Sequence, residues 1–101
     1  PRNELLWYHY AFEPGEFAIT VEYSCNEDIA GSEFYLNLVN RDDPSGNQAL
    51  EGVIQPTSGE FRSFNVGNMQ FRKGEYQIIT FGLKDSKSKD VKVKKIVLEK
   101  L

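Results

Sequence analysis

The chain has few of the residues on which most enzyme active sites depend. Its 101 residues include one cysteine, Cys25, and one histidine, His9. A single cysteine excludes an internal disulfide and any metal site built from several cysteines, and a single histidine excludes a histidine cluster. Serine–histidine–aspartate catalysis is left with one arrangement, around His9. We therefore expect a domain that is not itself an enzyme and that needs no cofactor.

The chain also has few basic residues and no long apolar run. The chain has 12 Lys and Arg against 15 Asp and Glu, a formal net charge of −3. Phosphate binding needs a surplus of basic residues, so nucleic acid is not expected as a partner. No apolar run approaches the ~18 residues that would span a bilayer, so no membrane insertion is expected. The sequence begins at Pro1 with no recognisable signal peptide, and we interpret residues 1–101 as a single module from the C-terminal part of a larger protein.

Apolar residues recur with a period of two along most of the chain, which is typical of strands with one buried face. Turn residues interrupt these runs about every ten residues, and no stretch keeps the spacing of an amphipathic helix. The pattern predicts an all-β, antiparallel β-sandwich of jelly-roll type with seven to eight strands. The expected strands are 5–12, 17–23, 34–39, 50–54, 61–66, 76–83 and 91–101.

Details of three of these strands follow from local patterns. Residues 76–83 are apolar on both faces, which predicts a central strand. In the last strand the apolar phase slips near Lys94–Lys95, which predicts a β-bulge. The lysines of this strand favour an exposed edge guarded against aggregation. Gly67–Asn68 is typical of a turn and is predicted to end the preceding strand.

Few side chains point to chemistry. Asp42, Asp43 and Asn47 could supply oxygen ligands to Ca²⁺, but the spacing fits no calcium-loop pattern, and solvated side chains that cap turns are the alternative. His9 is expected to be a satisfied strand histidine rather than a general base. Cys25 is expected to be a covered thiol rather than a nucleophile.

Aromatic residues, at 13%, exceed what one small core usually needs. Rings near loop ends have a second use, because an exposed flat ring packs against the C–H face of a sugar. One such ring with hydrogen-bonding side chains beside it makes a shallow binding site.

Five segments, in order, resemble the galactose-binding-like β-sandwich modules, near carbohydrate-binding module family 6. The C-terminal sandwich of bacterial α-L-fucosidases and some sulfatases is especially similar. The segment 56–64, for example, resembles a "P-x-T-G-G-W" pattern with Phe61 in place of the tryptophan. The segments are 15–25, 30–34, 56–64, 66–78 and 93–98.

The resemblance implies a non-catalytic carbohydrate-binding module of a larger, exported glycan-degrading enzyme, which would be extracellular or periplasmic. In the family two aromatic rings hold the sugar, and Trp7 and Phe61 match their positions. Glu60, Arg62 and Asn65 are the polar candidates beside them. The family's asparagine before the last strand has no counterpart here, so a structural domain that packs against the catalytic domain of its parent chain is the alternative. Carbohydrate, the parent's catalytic domain, or both are thus the expected partners.

Overall fold

A computed structural model describes residues 4–10, 13–72, 76–84 and 91–101. Seven strands form two antiparallel sheets that pack face to face, which confirms the predicted all-β sandwich. One sheet has the order β1-β6-β3-β4 and the other the order β5-β2-β7. The strands are β1 (Glu4–Tyr10), β2 (Gly15–Cys25), β3 (Glu33–Asn40), β4 (Gln48–Val53), β5 (Arg62–Phe71), β6 (Tyr76–Leu83) and β7 (Val91–Lys100), with a short 3₁₀ turn at Pro44–Gly46.

Most connections carry the chain from one sheet to the other. Among the strands of the described ranges, β3 and β4 are the only consecutive pair that is hydrogen-bonded, so nearly all of this pairing joins distant parts of the sequence. The strand β6 lies between β1 and β3, which confirms the predicted central position, and β7 is an edge strand as expected. The edges β4 and β5 face each other on one side of the sandwich.

The core lies between the sheets and consists of side chains at alternate strand positions together with Ile29 and Ile54 from two loops. Period-two patterning places the strand residues on one face of each strand, where burial removes their apolar surface from water. Phe34 and Phe81 stack across β3 and β6 with ring centroids 5.3 Å apart. The buried apolar residues are Ile19, Val21, Tyr23, Cys25, Ile29, Phe34, Leu36, Leu38, Ile54, Met69, Phe71, Ile79 and Phe81.

The turn predicted at Gly67–Asn68 is wrong, because β5 continues through both residues. A β-bulge lies there instead, and the register against β2 shifts between Ile19 and Thr20. Gly67 adopts φ 137°, and a β-carbon on it would lie 2.9 Å from the Leu50 side chain of the facing sheet. Gly67 thus allows a bulge and a close approach between the two sheets, and it does not mark the end of a strand.

The bulge predicted near Lys94–Lys95 is confirmed. Glu22 pairs with Lys95 and the next residue, Tyr23, pairs with Val93, so Lys94 is the additional residue of β7. The phase slip in the sequence therefore marks a real change of register in the sheet.

Candidate functional site

A pocket of about 290 Å³ opens on the side of the sandwich where β4 and β5 face each other. Because both are edge strands, no further strand closes the gap between the two sheets at this point. Aromatic rings from both sheets form its apolar part, and side chains from β5 and from the loop between β4 and β5 add hydrogen-bonding groups. The residues on which its chemistry depends are Tyr23, Phe34, Gln55, Phe64 and Asn65.

The aromatic part of the pocket is rigid because its rings are packed and tied. The Phe64 ring stacks on the Tyr23 ring at a centroid distance of 4.8 Å and an interplanar angle of 25°. The Tyr23 hydroxyl accepts a hydrogen bond from the backbone N–H of Gln55 at 2.8 Å. Burial raises the pKa of the Tyr23 hydroxyl above 10.0, although the bond from Gln55 acts in the opposite direction. The phenol is therefore neutral at physiological pH.

The absence of a side chain at Gly52 makes room for the ring of Phe34, the third aromatic residue of the pocket. Gly52 pairs with Phe34 across β4 and β3, and a β-carbon on Gly52 would lie 2.6 Å from the Phe34 ring. The ring therefore lies directly against the glycine backbone, an arrangement by which aromatic residues cover strand glycines. Any larger residue at Gly52 would displace the ring.

The amides of the pocket retain hydrogen-bonding capacity. Asn65 donates one bond from Nδ2 to the carbonyl oxygen of Ile19 at 3.3 Å, so its carbonyl Oδ1 and a second N–H are left for other partners. Gln55 donates from Nε2 to the carbonyl oxygen of Val53 at 3.2 Å, which leaves its Oε1. Each amide can thus both donate and accept toward a ligand.

The carboxylate of Glu51 is held by ion pairs on the outer face of the four-stranded sheet, because Glu51 is opposite Tyr35 rather than the inward-facing Phe34. Glu51 pairs with Lys84, and Lys84 Nζ lies 3.2 Å from a carboxylate oxygen of Glu33. Hydrogen bonds to Glu51 and then to Glu33 raise the pKa of Lys84 above 10.5. Lys84 therefore joins Glu51 of β4 to Glu33 of β3.

A glutamine clamp fixes the spacing of the two edge strands beside the pocket. The Gln48 side chain donates to the carbonyl oxygen of Gln70 at 2.5 Å and accepts from the Gln70 N–H at 2.8 Å. This pair of bonds satisfies β5 backbone groups at an edge that no strand covers.

The structure does not bring the two predicted rings together. Trp7 is partly buried and packs against the core from β1, the edge strand far from β4. Phe61 directly precedes β5 and is 45% exposed. The two rings thus lie on opposite sides of the sandwich. No observation here tests whether either ring contacts a sugar, and these assignments stay predictions.

The predicted polar residues cluster around Phe61 and the pocket. The Lys94 ammonium lies 5.6 Å from the centroid of the Phe61 ring. Glu60 and Arg62 form an exposed ion pair at 4.0 Å, and Arg62 is opposite Tyr23 in the register of β5 and β2. Asn65 lines the pocket itself.

Sequence reasoning missed the loop that supports the pocket. Thr57 is 1% exposed, accepts a hydrogen bond from the Cys25 N–H at 3.0 Å and donates to the Cys25 carbonyl oxygen at 3.3 Å. The Cys25 thiol is buried, as predicted, and donates to the Gln55 carbonyl oxygen at 3.5 Å. A threonine directly after Pro56 in the motif segment was the available signal. The His9 side chain lies outside the described residues.

The loop with the calcium candidates is held by its own hydrogen bonds. Asp43 caps the 3₁₀ turn by accepting from the Ser45 N–H at 3.0 Å and hydroxyl at 2.7 Å, and Arg72 donates to it at 2.5 Å. The bonds from Ser45 and then Arg72 lower the pKa of Asp43 below 3.8. Asn47 Oδ1 accepts from the Asn40 N–H at 2.7 Å.

Asp42 is exposed and forms an ion pair with Arg41 at 3.7 Å. Residues 4–10, 13–72, 76–84 and 91–101 contain no group of three or more His, Cys, Asp and Glu residues that could hold a metal ion. Calcium binding by this loop remains an untested prediction. Over the same ranges, no helix has the length and hydrophobicity required to cross a bilayer.

No protein-family model matches the chain, and a search of curated protein sequences finds no match either. Solved structures do share its fold. A ruminal GH26 endo-β-1,4-mannanase superposes with a TM-score of 0.72 over 97% of this chain and 18% of its own, at 11% identity. TmCBM61, solved in complex with β-1,4-galactotriose, superposes with a TM-score of 0.59 over 97% of this chain and 62% of its own, at 12% identity.

The fold also occurs outside enzymes that act on glycans. The mosquito-larvicidal Cry4Aa toxin of Bacillus thuringiensis superposes with a TM-score of 0.67 over 97% of this chain and 17% of its own, at 17% identity. At these identities the likeness concerns the fold alone. The chain spans less than a fifth of the length of the mannanase and of the toxin.

Proposed function

We propose that this chain is a non-catalytic carbohydrate-binding module. The observation that carries the proposal is the pocket between β4 and β5, where a stacked pair of rings, Tyr23 and Phe64, lies beside the amides of Gln55 and Asn65. Ligand pockets that are mainly apolar with a few convergent polar groups are the usual form of small-molecule sites. The fold shared with TmCBM61 and with a GH26 mannanase supports this choice.

In this proposal one sugar residue enters the pocket with its C–H face against the Phe64 ring. Asn65 and Gln55 then bind hydroxyl groups as both donors and acceptors. Phe61 and Arg62, directly before and at the start of β5, contact the next sugar residue of the glycan. Shallow sites of this kind bind with a Kd between ~1 mM and ~1 μM, or about −4 to −8 kcal/mol.

We further propose that the module belongs to a larger, exported glycan-degrading enzyme of fucosidase or sulfatase type. The support is the resemblance of five sequence segments to sandwich modules of such enzymes. The small share of a GH26 mannanase that the chain spans is compatible with an accessory module. The complete sequence of the parent protein tests this part, and a neighbouring domain unrelated to glycans would overturn it.

Isothermal titration calorimetry against β-1,4-mannan, β-1,4-galactan and fucosylated oligosaccharides tests the binding proposal. Asn65→Ala removes a pocket amide and is expected to weaken binding about tenfold, or about 1.4 kcal/mol. Asn68→Ala is the matched control, because Asn68 is exposed on the same strand but does not line the pocket. Thermal denaturation shows whether each variant is folded.

If Asn65→Ala and Asn68→Ala weaken glycan binding equally, the pocket is not the binding site. The absence of binding to every glycan at millimolar concentration would overturn the carbohydrate function itself.

A second candidate function, a structural domain that docks against its parent protein, is favoured by the outer face of the four-stranded sheet. On this face β1, β6 and β3 place Tyr8, Ile78 and Val39 in one row. Tyr8 is 81% exposed. Among the described residues, five of the eight large hydrophobic residues that are exposed belong to this face: Leu6, Tyr8, Val39, Val53 and Tyr76. Exposed apolar surface often marks an interaction site.

Docking predicts that Tyr8→Ser and Val39→Ser destabilise the full-length parent protein but leave the isolated module unchanged. Differential scanning calorimetry of both forms measures the difference. Equal melting temperatures of the substituted and unsubstituted full-length proteins would exclude a docking role for this face.

A further inference from the structure

The outer face of the three-stranded sheet carries a group of lysines beside an exposed aromatic ring, and neither the pocket nor the sandwich core uses them. We define the lysine face as Phe61, Glu22, Lys92, Lys94 and Lys95. We infer that the lysine face binds an acidic sugar residue, carrying a carboxylate or a sulfate ester, of the glycan held in the pocket. This inference rests on the proposed carbohydrate function and names the class of glycan.

The β7 bulge creates this concentration of charge. In a regular strand Lys94 and Lys95 would point to opposite faces of the sheet. Here the bulge lets both point toward Glu22, whose carboxylate oxygens lie 4.0 Å from Lys94 Nζ and 3.7 Å from Lys95 Nζ. One carboxylate therefore faces two ammonium groups, and it can neutralise only one of them.

A third lysine adds to this surplus. Lys92 pairs with Ser24, which lies two residues from Glu22 on the same side of β2. Among the described residues, no carboxylate lies within 4.0 Å of the Lys92 ammonium. The lysine face thus carries a net charge of about +2 on a chain whose formal net charge is −3. Such a local reversal of sign attracts an anionic ligand and speeds its association.

The ring determines what kind of anion fits. Phe61 is 45% exposed, and the Lys94 ammonium lies 5.6 Å from its centroid. A sugar that stacks on this ring would place a carboxylate or sulfate on its rim within reach of Lys94. A simple inorganic anion would gain nothing from the ring, so the combination favours an acidic sugar.

Asn65 connects the lysine face to the pocket. Phe61, Ser63 and Asn65 are alternate residues, and Ser63 pairs with Glu22 while Asn65 pairs with Thr20 of the same side of β2. Asn65 also lines the pocket. One oligosaccharide can therefore occupy the pocket with one residue and the lysine face with a neighbouring residue.

The test compares ligands that differ only in charge. Calorimetry measures the affinity of the module for β-1,4-mannotetraose and for the β-1,4-linked tetramer of mannuronic acid. β-1,4-Galactotriose and its 6-O-sulfated form are a second pair, which separates sulfate from carboxylate. We expect the acidic member of at least one pair to bind about tenfold more tightly, which equals about 1.4 kcal/mol. We also expect the preference to shrink between roughly 50 mM and 500 mM salt.

The double substitution Lys94→Gln with Lys95→Gln is expected to abolish the preference and to leave the affinity for the neutral glycan unchanged. Lys100→Gln is the matched control, because Lys100 lies on the same strand, pairs with Glu13 at 3.5 Å and is opposite Phe17, far from Phe61.

Three results overturn the inference. Equal affinity for the neutral and acidic members of both pairs would show that the lysine face recognises no acidic sugar. Equally tight binding of a single-stranded oligonucleotide would show a nonspecific polyanion surface. An equal loss of the preference for acidic glycans in the Lys100→Gln control would show that the preference depends only on the net charge of the module. If the module binds neutral glycans but no acidic ones, the inference about the lysine face fails and the proposed carbohydrate function stands. If it binds neither neutral nor acidic glycans, both proposals are overturned.

Discussion

The hydroxyl of Tyr23 on β2 accepts a hydrogen bond of 2.8 Å from the backbone N–H of Gln55, in the loop that follows β4. These residues are 32 positions apart in sequence, and Tyr23 lies in the three-stranded sheet whereas Gln55 lies in the loop that leaves the four-stranded sheet. The bond therefore ties this loop to β2 at the pocket. It also holds the Tyr23 ring in the plane on which Phe64 stacks.

Tyr23→Phe removes this acceptor and leaves the Gln55 N–H without its partner. We expect a loss of about 1–2 kcal/mol in the free energy of unfolding, since an unsatisfied donor costs more than the bond itself contributes. Urea denaturation measures the loss. Tyr8→Phe serves as the control, because Tyr8 is 81% exposed and its hydroxyl is solvated. Equal stability of the Tyr23→Phe variant and the unsubstituted module would contradict this role.

Thr57→Val tests the support of the pocket loop in the same way. The Thr57 hydroxyl satisfies both the N–H and the carbonyl of Cys25 at the end of β2. Valine keeps the shape and removes both bonds, so we expect a loss of about 1–3 kcal/mol. Thr57→Ser keeps the hydroxyl and loses one methyl group, worth about 0.8 kcal/mol. A smaller loss for valine than for serine in chemical denaturation would exclude the hydrogen-bonding role.

The strands and their faces were predictable because they depend on local patterns. Alternation along β2 and β3 reflects one buried face, and the double-sided apolar run at Tyr76–Leu83 reflects a strand with neighbours on both sides. The β7 bulge was visible as a phase slip at Lys94. The bulge at Gly67 was mistaken for a turn, because glycine serves both and only strand pairing distinguishes them.

The site was predictable only in part, because it depends on which edge strands face each other. Phe61 and Asn65 lie close together in sequence, so their proximity followed from the motif. Trp7 lies on the opposite side, because β1 is the edge strand far from β4. Gln55 and Tyr23 meet through contacts between distant segments, which no local pattern records.

The free energy of unfolding at acidic pH is expected to depend on Asp43. Its hydrogen bonds from Ser45 and Arg72 lower the pKa in the folded state below the ordinary 3.8. The stabilisation is therefore present above about pH 4 and is lost as the pH falls through the lower, folded-state value. Unfolding free energies of the module and of Asp43→Asn, measured between roughly pH 6 and pH 2, should converge at the acidic end. A difference that stays constant over this range would contradict the lowered pKa.

Gly67→Ala should be more destabilising than a positive φ alone explains. Gly67 has φ 137°, and a β-carbon there would lie 2.9 Å from Leu50 Cδ2. Gly31 also has a positive φ, of 94°, but nothing lies within 4 Å of its added β-carbon. Gly31→Ala therefore measures the cost of an unfavourable backbone, about 1 kcal/mol or more. Gly67→Ala adds the cost of overpacking between the sheets, typically about 1–3 kcal/mol.

The double variant Gly67→Ala with Leu50→Ala separates these two costs. Leu50→Ala removes the methyl groups that the new β-carbon would meet, but it leaves the backbone of Gly67 unchanged. A double-mutant cycle in urea should therefore show favourable coupling between the two substitutions, because residues in contact do not contribute additively. Strict additivity, or equal costs for Gly67→Ala and Gly31→Ala, would show that Leu50 does not limit the space at the bulge. The close approach of β4 and β5 that shapes the pocket would then need another cause.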